Sequence, residues 1–212
     1  MRIFEGKREA NDSVLARVRS LLSNLRLAEC KLKGINLNGK VICDSSASWN
    51  PPRHGWIKVN VDGAFAMNLG LGCGGLMRNS NGKFIEGFMF HPTEGDSFTA
   101  ELWALILGLK LAWEKGERRI IVESDALELI QLLEQGNTSQ HADAELIQEA
   151  KSLIGRQWEI ELLHIPRGAN SVADFLAKRA ITTVRGYELI LESPDYLFSL
   201  LQKDCCLFSS TG

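Results

Sequence analysis

The hydrophobic period of this chain changes once, near Pro92, and that change limits the folds open to it. On the N-terminal side, Ile57 to Ala64 alternates. Ile57, Val59 and Val61 share one face; Lys58, Asn60 and Asp62 share the other, as in a half-buried strand. Leu69 to Met77 follows, rich in glycine. It has neither P-loop nor G-x-G-x-x-G spacing and no helical pattern after it, so it reads as a strand whose small side chains let another backbone come close. Asn79-Ser80-Asn81-Gly82 signals a turn, and Lys83 to Phe90 a third strand. Beyond Pro92, Phe98, Leu102, Leu105, Ile106, Leu109 and Trp113 recur at helical spacing, with Asp96 or Ser97 as cap and Gly116 as stop. Arg118 to Glu123 is a short strand, and Asp125 to Gln135 and Ala142 to Ile154 are helices. Trp158 to Ile165 is a strand and Ser171 to Thr183 a last core helix. Strands that alternate with helices pair in parallel. The expected order is β-β-β-α-β-α-α-β-α: an α/β domain with three antiparallel strands, then two parallel ones.

Outside this block the signals are weaker. Val14, Val18, Leu21, Leu22 and Leu25 predict an N-terminal amphipathic helix within residues 1–33. Residues 34–52 shift to Gly, Asn, Ser and Pro, and the Pro51-Pro52 pair favours an extended linker. The expected organisation is therefore a helix and linker over 1–52, a domain over 53–185, and a tail over 186–212 with a short amphipathic piece from Tyr196 to Leu201. The formal net charge of −2 gives no whole-molecule positive field, which counts against tight non-specific nucleic-acid binding. Five cysteines without a C-x-x-C pair fit reduced thiols better than a disulfide frame or a zinc site. No apolar run approaches the ~18 residues of a membrane span, and the N-terminus lacks a signal-peptide core. An intracellular, monomeric protein is expected.

Four carboxylates stand out. Asp62 lies on the first strand, just before a glycine, where the bland alternative is a hairpin turn. Glu101 lies in the first turn of the first helix, beside the buried stripe, where the helix dipole alone would favour it. Asp125 follows the strand Ile120-Ile121-Val122 and could instead cap a helix with Glu128. Asp174 is three residues after Ser171, again at capping-box spacing, with small neighbours Ala173 and Ala177. Each alone has a structural explanation. Together, at the carboxyl end of parallel strands, they would repel one another unless a cation neutralised them. An oxygen-only set suits Mg²⁺ or Mn²⁺, and two such ions can clamp an in-line phosphoryl displacement.

Val59-Asn60-Val61-Asp62-Gly63-Ala64, Thr99-Ala100-Glu101-Leu102, Val122-Glu123-Ser124-Asp125-Ala126 and Ala169 to Ala177 resemble the ribonuclease H type 1 family. The likeness is closest to the plant reverse-transcriptase-like domains of non-LTR retrotransposon polyproteins, and it spans about Trp56 to Ala180. Residues 1–50 also resemble the segment that precedes such domains. The resemblance implies a five-stranded mixed sheet flanked by helices, and endonucleolytic hydrolysis of the RNA strand of RNA–DNA hybrids. It implies that Asp62, Glu101, Asp125 and Asp174 hold two metal ions, with Asp62 bridging both, and that cleavage leaves a 5′-phosphate and a 3′-hydroxyl. It assigns Gly63, Gly72, Cys73, Gly74 and Asn170 to substrate binding, the glycine strand admitting the minor groove where the 2′-hydroxyl marks RNA.

Two departures follow. Where bacterial-type members carry a mobile histidine, this chain has Arg167, suited to charge on phosphate; His164 reads as a strand-end structural residue. The segment Gly136 to His141 is short and uncharged, so the basic grip of some members is missing and hybrid binding should be weak and salt-sensitive. A catalytically weak or inactive nucleic-acid-binding module of the same fold is the alternative, and a partner-docking role for the N-terminal helix is a third. If Asp62 is a site residue rather than a turn residue, the strand should run through Gly63 to Phe65 and turn near Asn68 to Gly70.

Overall fold

The computed structural model describes residues 48–134, 141–183 and 186–206. All of them lie in the compact unit Ala47–Gly212. The expected N-terminal helix falls outside the described residues.

β1 (Ile57–Ala66), β2 (Gly70–Arg78) and β3 (Phe84–His91) form an antiparallel meander. β4 (Arg119–Ser124) lies parallel to β1, and β5 (Glu159–His164) parallel to β4. The three-plus-two arrangement expected from the change of period is therefore present. The stretch expected as a tail corrects the strand count: Gly186–Ile190 forms a sixth strand, β6, antiparallel to β3, giving the order β5-β4-β1-β2-β3-β6. β6 is short and exposed on most of its residues, so it lacks the alternation that marks a strand in sequence.

The helices are α1 (Ser97–Glu114), α2 (Leu127–Glu134), α3 (Ala144–Ile154), α4 (Ser171–Thr183) and α5 (Asp195–Cys206). None is long and apolar enough to cross a membrane. α1 begins with a reciprocal capping box. Asp96 accepts from the Thr99 N–H at 2.9 Å, and Thr99 Oγ1 accepts from the Asp96 N–H at 3.2 Å.

The alternation of β1 divides two cores. Val59 and Val61 pack with Leu105 and Leu109 of α1, Val122 of β4, Leu129 of α2 and Ile147 of α3. The opposite face carries Leu76 and Met89 against Val172 and Leu176 of α4 and Leu197 of α5. That second face is where Lys58, Asn60 and Asp62 point. β1 runs straight through Gly63, and the chain turns at Asn68 and Gly70, whose φ values of 72° and 98° are left-handed.

Candidate metal centre

Asp62 is 2% exposed, in the middle of β1. Its cross-strand partner is Gly74, on the face covered by α4. The start of α1 abuts β1 one residue later. A Cβ on Gly63 would lie 2.3 Å from the Glu101 backbone nitrogen, so only glycine lets the helix dock here. That docking delivers Glu101, whose Oε2 accepts the Gly63 N–H at 3.0 Å. Glu101 sits just past the first helical turn rather than within it. Asp125 directly follows β4, the parallel neighbour of β1. It does not cap α2 with its side chain; Ser124 Oγ takes the Ala126 N–H at 3.0 Å instead. Asp125 Oδ1 accepts from Asn170 Nδ2 at 3.0 Å.

One carboxylate oxygen from each of Asp62, Glu101 and Asp125 lies within 4.8 Å of the others. Burial, then the charges of Glu101, Asp125 and Asp174 around it, with a hydrogen bond to Asp125, push the Asp62 carboxyl up to about 10. Burial and the Asp125 charge push Glu101 up to about 8, against the opposing Gly63 N–H and the Arg167 charge. Asp62 Oδ2 is buried and has no hydrogen-bond partner among the described residues. An orphaned carboxylate oxygen facing two more acids fits a hard divalent cation, which would satisfy it and remove the repulsion.

Asp174 stands beside this trio but is engaged elsewhere. Its Oδ1 accepts from Arg167 at 2.8 Å and its Oδ2 from Lys178 at 2.7 Å. Burial works against its ionised form, but the hydrogen bonds from Lys178 and Arg167 outweigh it and hold the carboxyl below its ordinary range. Arg167 remains 70% exposed, with its guanidinium next to the site.

The residues assigned to substrate binding are largely buried. Gly72 and Gly74 are buried under α4; an added Cβ would lie 2.1 Å from the Ala177 carbonyl oxygen and 2.3 Å from the Ala177 nitrogen, respectively. The backbone their small size admits is that of a helix, not a nucleic-acid groove. Cys73 points to the other face, fully buried, with its Sγ 3.2 Å from the Ala100 carbonyl; burial pushes its thiol up. Gly63 presents its N–H to Glu101. Asn170 is 1% exposed, with its amide spent on Val61, Asp125 and Asn60. Gly63, Gly72 and Gly74 thus seat the helices α1 and α4 that flank the site, and Asn170 holds Asp125. Not anticipated at all was a buried polar group beside the site, comprising Lys58, Arg78, Glu123 and Asp204. For Lys58, the alternation marked the face; nothing in the sequence marked its burial.

The family described as reverse transcriptase-like matches residues 60–180. An Arabidopsis thaliana protein, named provisionally as a ribonuclease H protein, is 34% identical over 157 residues, 74% of this chain. The chain spans about a quarter of that relative's length, 25%. RNase H1 from the halophilic archaeon Halobacterium salinarum aligns with a TM-score of 0.56 at 21% identity, covering 61% of this chain and 99% of that one. The N-terminal RNase H domain of a Mycobacterium tuberculosis protein aligns at 0.55 and 23% identity, covering 59% and 93%. LC11-RNase H1, isolated from compost by a metagenomic approach and solved with an RNA/DNA hybrid, aligns in that complex at 0.52 and 22%, covering 59% and 96%. The fold is that of ribonuclease H, and the chain belongs to the reverse transcriptase-like family.

Proposed function

We propose that this domain is a divalent-cation-dependent ribonuclease acting on the RNA strand of RNA–DNA hybrids. The observation that carries it is the convergence of Asp62, Glu101 and Asp125 within 4.8 Å around the unpartnered Asp62 Oδ2. The name of the Arabidopsis relative and the hybrid-bound LC11 structure support the substrate class. Asp62, Glu101 and Asp125 would hold one cation, and Asp174 would join a second on release from Arg167 or Lys178; Mg²⁺ or Mn²⁺ suits an all-oxygen set. Cations held there would activate a water and neutralise charge on the attacking and leaving oxygens. The chain's own residues supply the rest. The Gly63 N–H fixes one Glu101 oxygen, Asn170 fixes one Asp125 oxygen, and exposed Arg167 offers a bidentate donor to a phosphate.

One observation favours the non-catalytic alternative: both oxygens of Asp174 are occupied by cationic side chains. Cleavage of a labelled hybrid by the full chain, with and without Mg²⁺ and beside an Asp62→Asn control, separates the two. Metal-dependent cleavage lost in the control is expected. Hybrid binding with no turnover would establish the alternative, and equal cleavage by both proteins would remove Asp62 from the chemistry.

A further inference from the structure

A line of buried polar side chains runs behind the metal centre, from the C-terminal helix to Asp125. It begins at Asp204 on α5, whose Oδ2 accepts from Arg78 Nη1 at 2.6 Å. Arg78 Nη2 donates to Asn60 Oδ1 at 3.0 Å. Asn60 Nδ2 donates to Glu123 Oε2 at 2.9 Å and to Asn170 Oδ1 at 3.3 Å. Asn170 Nδ2 then donates to Asp125 Oδ1 at 3.0 Å and to the Val61 carbonyl at 2.9 Å. Arg78, Asn60 and Asn170 are each 1% exposed, so bulk water offers them no alternative partners.

The direction of every bond in this line is forced. A guanidinium only donates, so the amide beside it must present its oxygen. That turns the Asn60 nitrogen toward Glu123, whose carboxylate can only accept when ionised, and toward the Asn170 oxygen. Asn170 must then meet Asp125 with its nitrogen. Reverse either amide and an oxygen faces a carboxylate: a donor is lost and repulsion replaces attraction. Arg78 fixes Asn60 from the far end of the line, while Glu123 and the Val61 carbonyl, which only accept, hold the two amides in the same sense.

We propose that Arg78 and Asn60 are positioning residues that set, through Asn170, the direction of the amide facing Asp125, and so hold Asp125 in place for a divalent cation. This rests on the metal-centre reading above and adds to it. The line also brings in two segments outside the family match at residues 60–180. Asp204 anchors it from α5, and the Trp49 ring lies 3.5 Å from the Arg78 guanidinium on its path into β1. Both segments thereby belong to the working unit. If the same residues were only a satisfied polar core, they would stabilise the fold and leave cation binding alone.

The test uses the full chain and Mn²⁺ alone, titrated by isothermal calorimetry, with circular dichroism to confirm folding. Asn60→Leu is the decisive variant because it strands no charge. Arg78 keeps Asp204 at 2.6 Å, and Glu123 keeps Lys58 at 2.6 Å. Mn²⁺ affinity should fall on the order of 10- to 100-fold in the folded variant, the range typical of groups that orient metal ligands. Turnover of hybrid should fall in kcat more than in KM. Arg78→Met combined with Asp204→Leu removes the buried ion pair as a unit and should weaken Mn²⁺ similarly. Adding Asn60→Leu to it should then change little, since the same line is cut twice. Unchanged Mn²⁺ affinity in folded Asn60→Leu, or effects that simply add, would overturn the proposal. Mn²⁺ binding that needs Asp62 but ignores Asn60 sinks this inference and leaves the metal centre standing. Mn²⁺ binding equal in wild type and Asp62→Asn removes both.

Discussion

The Asp62→Asn variant should be more stable than the natural protein when metal is withheld, and increasingly so as pH rises. The wild-type carboxyl is buried, faces Glu101 and Asp125, and is pushed up to about 10. A group whose folded pKa is raised contributes fully to stability below its unfolded pKa, near 4, and that contribution is lost as pH rises through the folded pKa. Metal-free wild type therefore weakens steadily from about pH 4 to about pH 10, with Glu101, raised to about 8, adding to the loss within that window. Two carboxylates whose oxygens lie within 4.8 Å of each other repel by about 3 kcal/mol if both ionise at an effective dielectric of about 20. An asparagine removes one charge, and its amide can donate to Asp125 where a shared proton would otherwise be needed.

For a domain of this size, about 3 kcal/mol corresponds to a rise in melting temperature of roughly 6–12 °C. Melts followed by circular dichroism in EDTA at pH 5, 7 and 9 provide the assay. The gain should be largest at pH 9 and small at pH 5. Adding Mg²⁺ should raise the wild type most at high pH, where its carboxylates are ionised, and raise the variant little. A variant that melts below wild type at pH 9 in EDTA, or a gain of the same size at every pH, would refute the electrostatic account of this site.

Gly74→Ala puts a methyl 2.3 Å from the Ala177 nitrogen and 2.6 Å from the Leu176 carbonyl carbon, both backbone atoms of α4. It should cost about 3 kcal/mol or more by urea unfolding, whereas a glycine facing a substrate groove would tolerate alanine. Arg167→Ala breaks a pair that is 70% exposed on the arginine side and leaves Lys178 on Asp174, so stability should change by less than ~1 kcal/mol. The Asp174 carboxyl should rise toward its ordinary range, followed by NMR titration, while hybrid cleavage falls; unchanged cleavage would remove Arg167 from the site.

Element order and three of the four acids were legible because each rests on a local signal. Alternation wrote β1 and the even-numbered face of Lys58, Asn60 and Asp62, and helical spacing wrote α1 and α4. The turn at Asn68 and Gly70 follows once Asp62 is taken as a mid-strand residue, because the strand must then continue past Gly63. What did not read through is what long separation decides. Arg78 meets Asp204 across 126 positions, and Asn60 meets Asn170 across 110. The glycines of β2 announced a close approach but not its partner. Only the packed fold shows that the partner is α4. β6 was missed because an edge strand with little burial carries little pattern.

The candidate metal site can be located by elimination among buried charges alone. Asp62, Glu86, Glu123 and Asp204 are the acids buried among the described residues. Glu86 is paired with Lys115, Glu123 with Lys58 at 2.6 Å, and Asp204 with Arg78 at 2.6 Å. A buried carboxylate without such a partner is costly, and the chain supplies one in three cases of four. Asp62 is the exception, and it is placed against two further acids rather than a base. A strand that spends Lys58 on neutralising Glu123 and Asn60 on orienting an amide, then leaves Asp62 bare two residues on, is organised for a cation that the polypeptide does not itself contain.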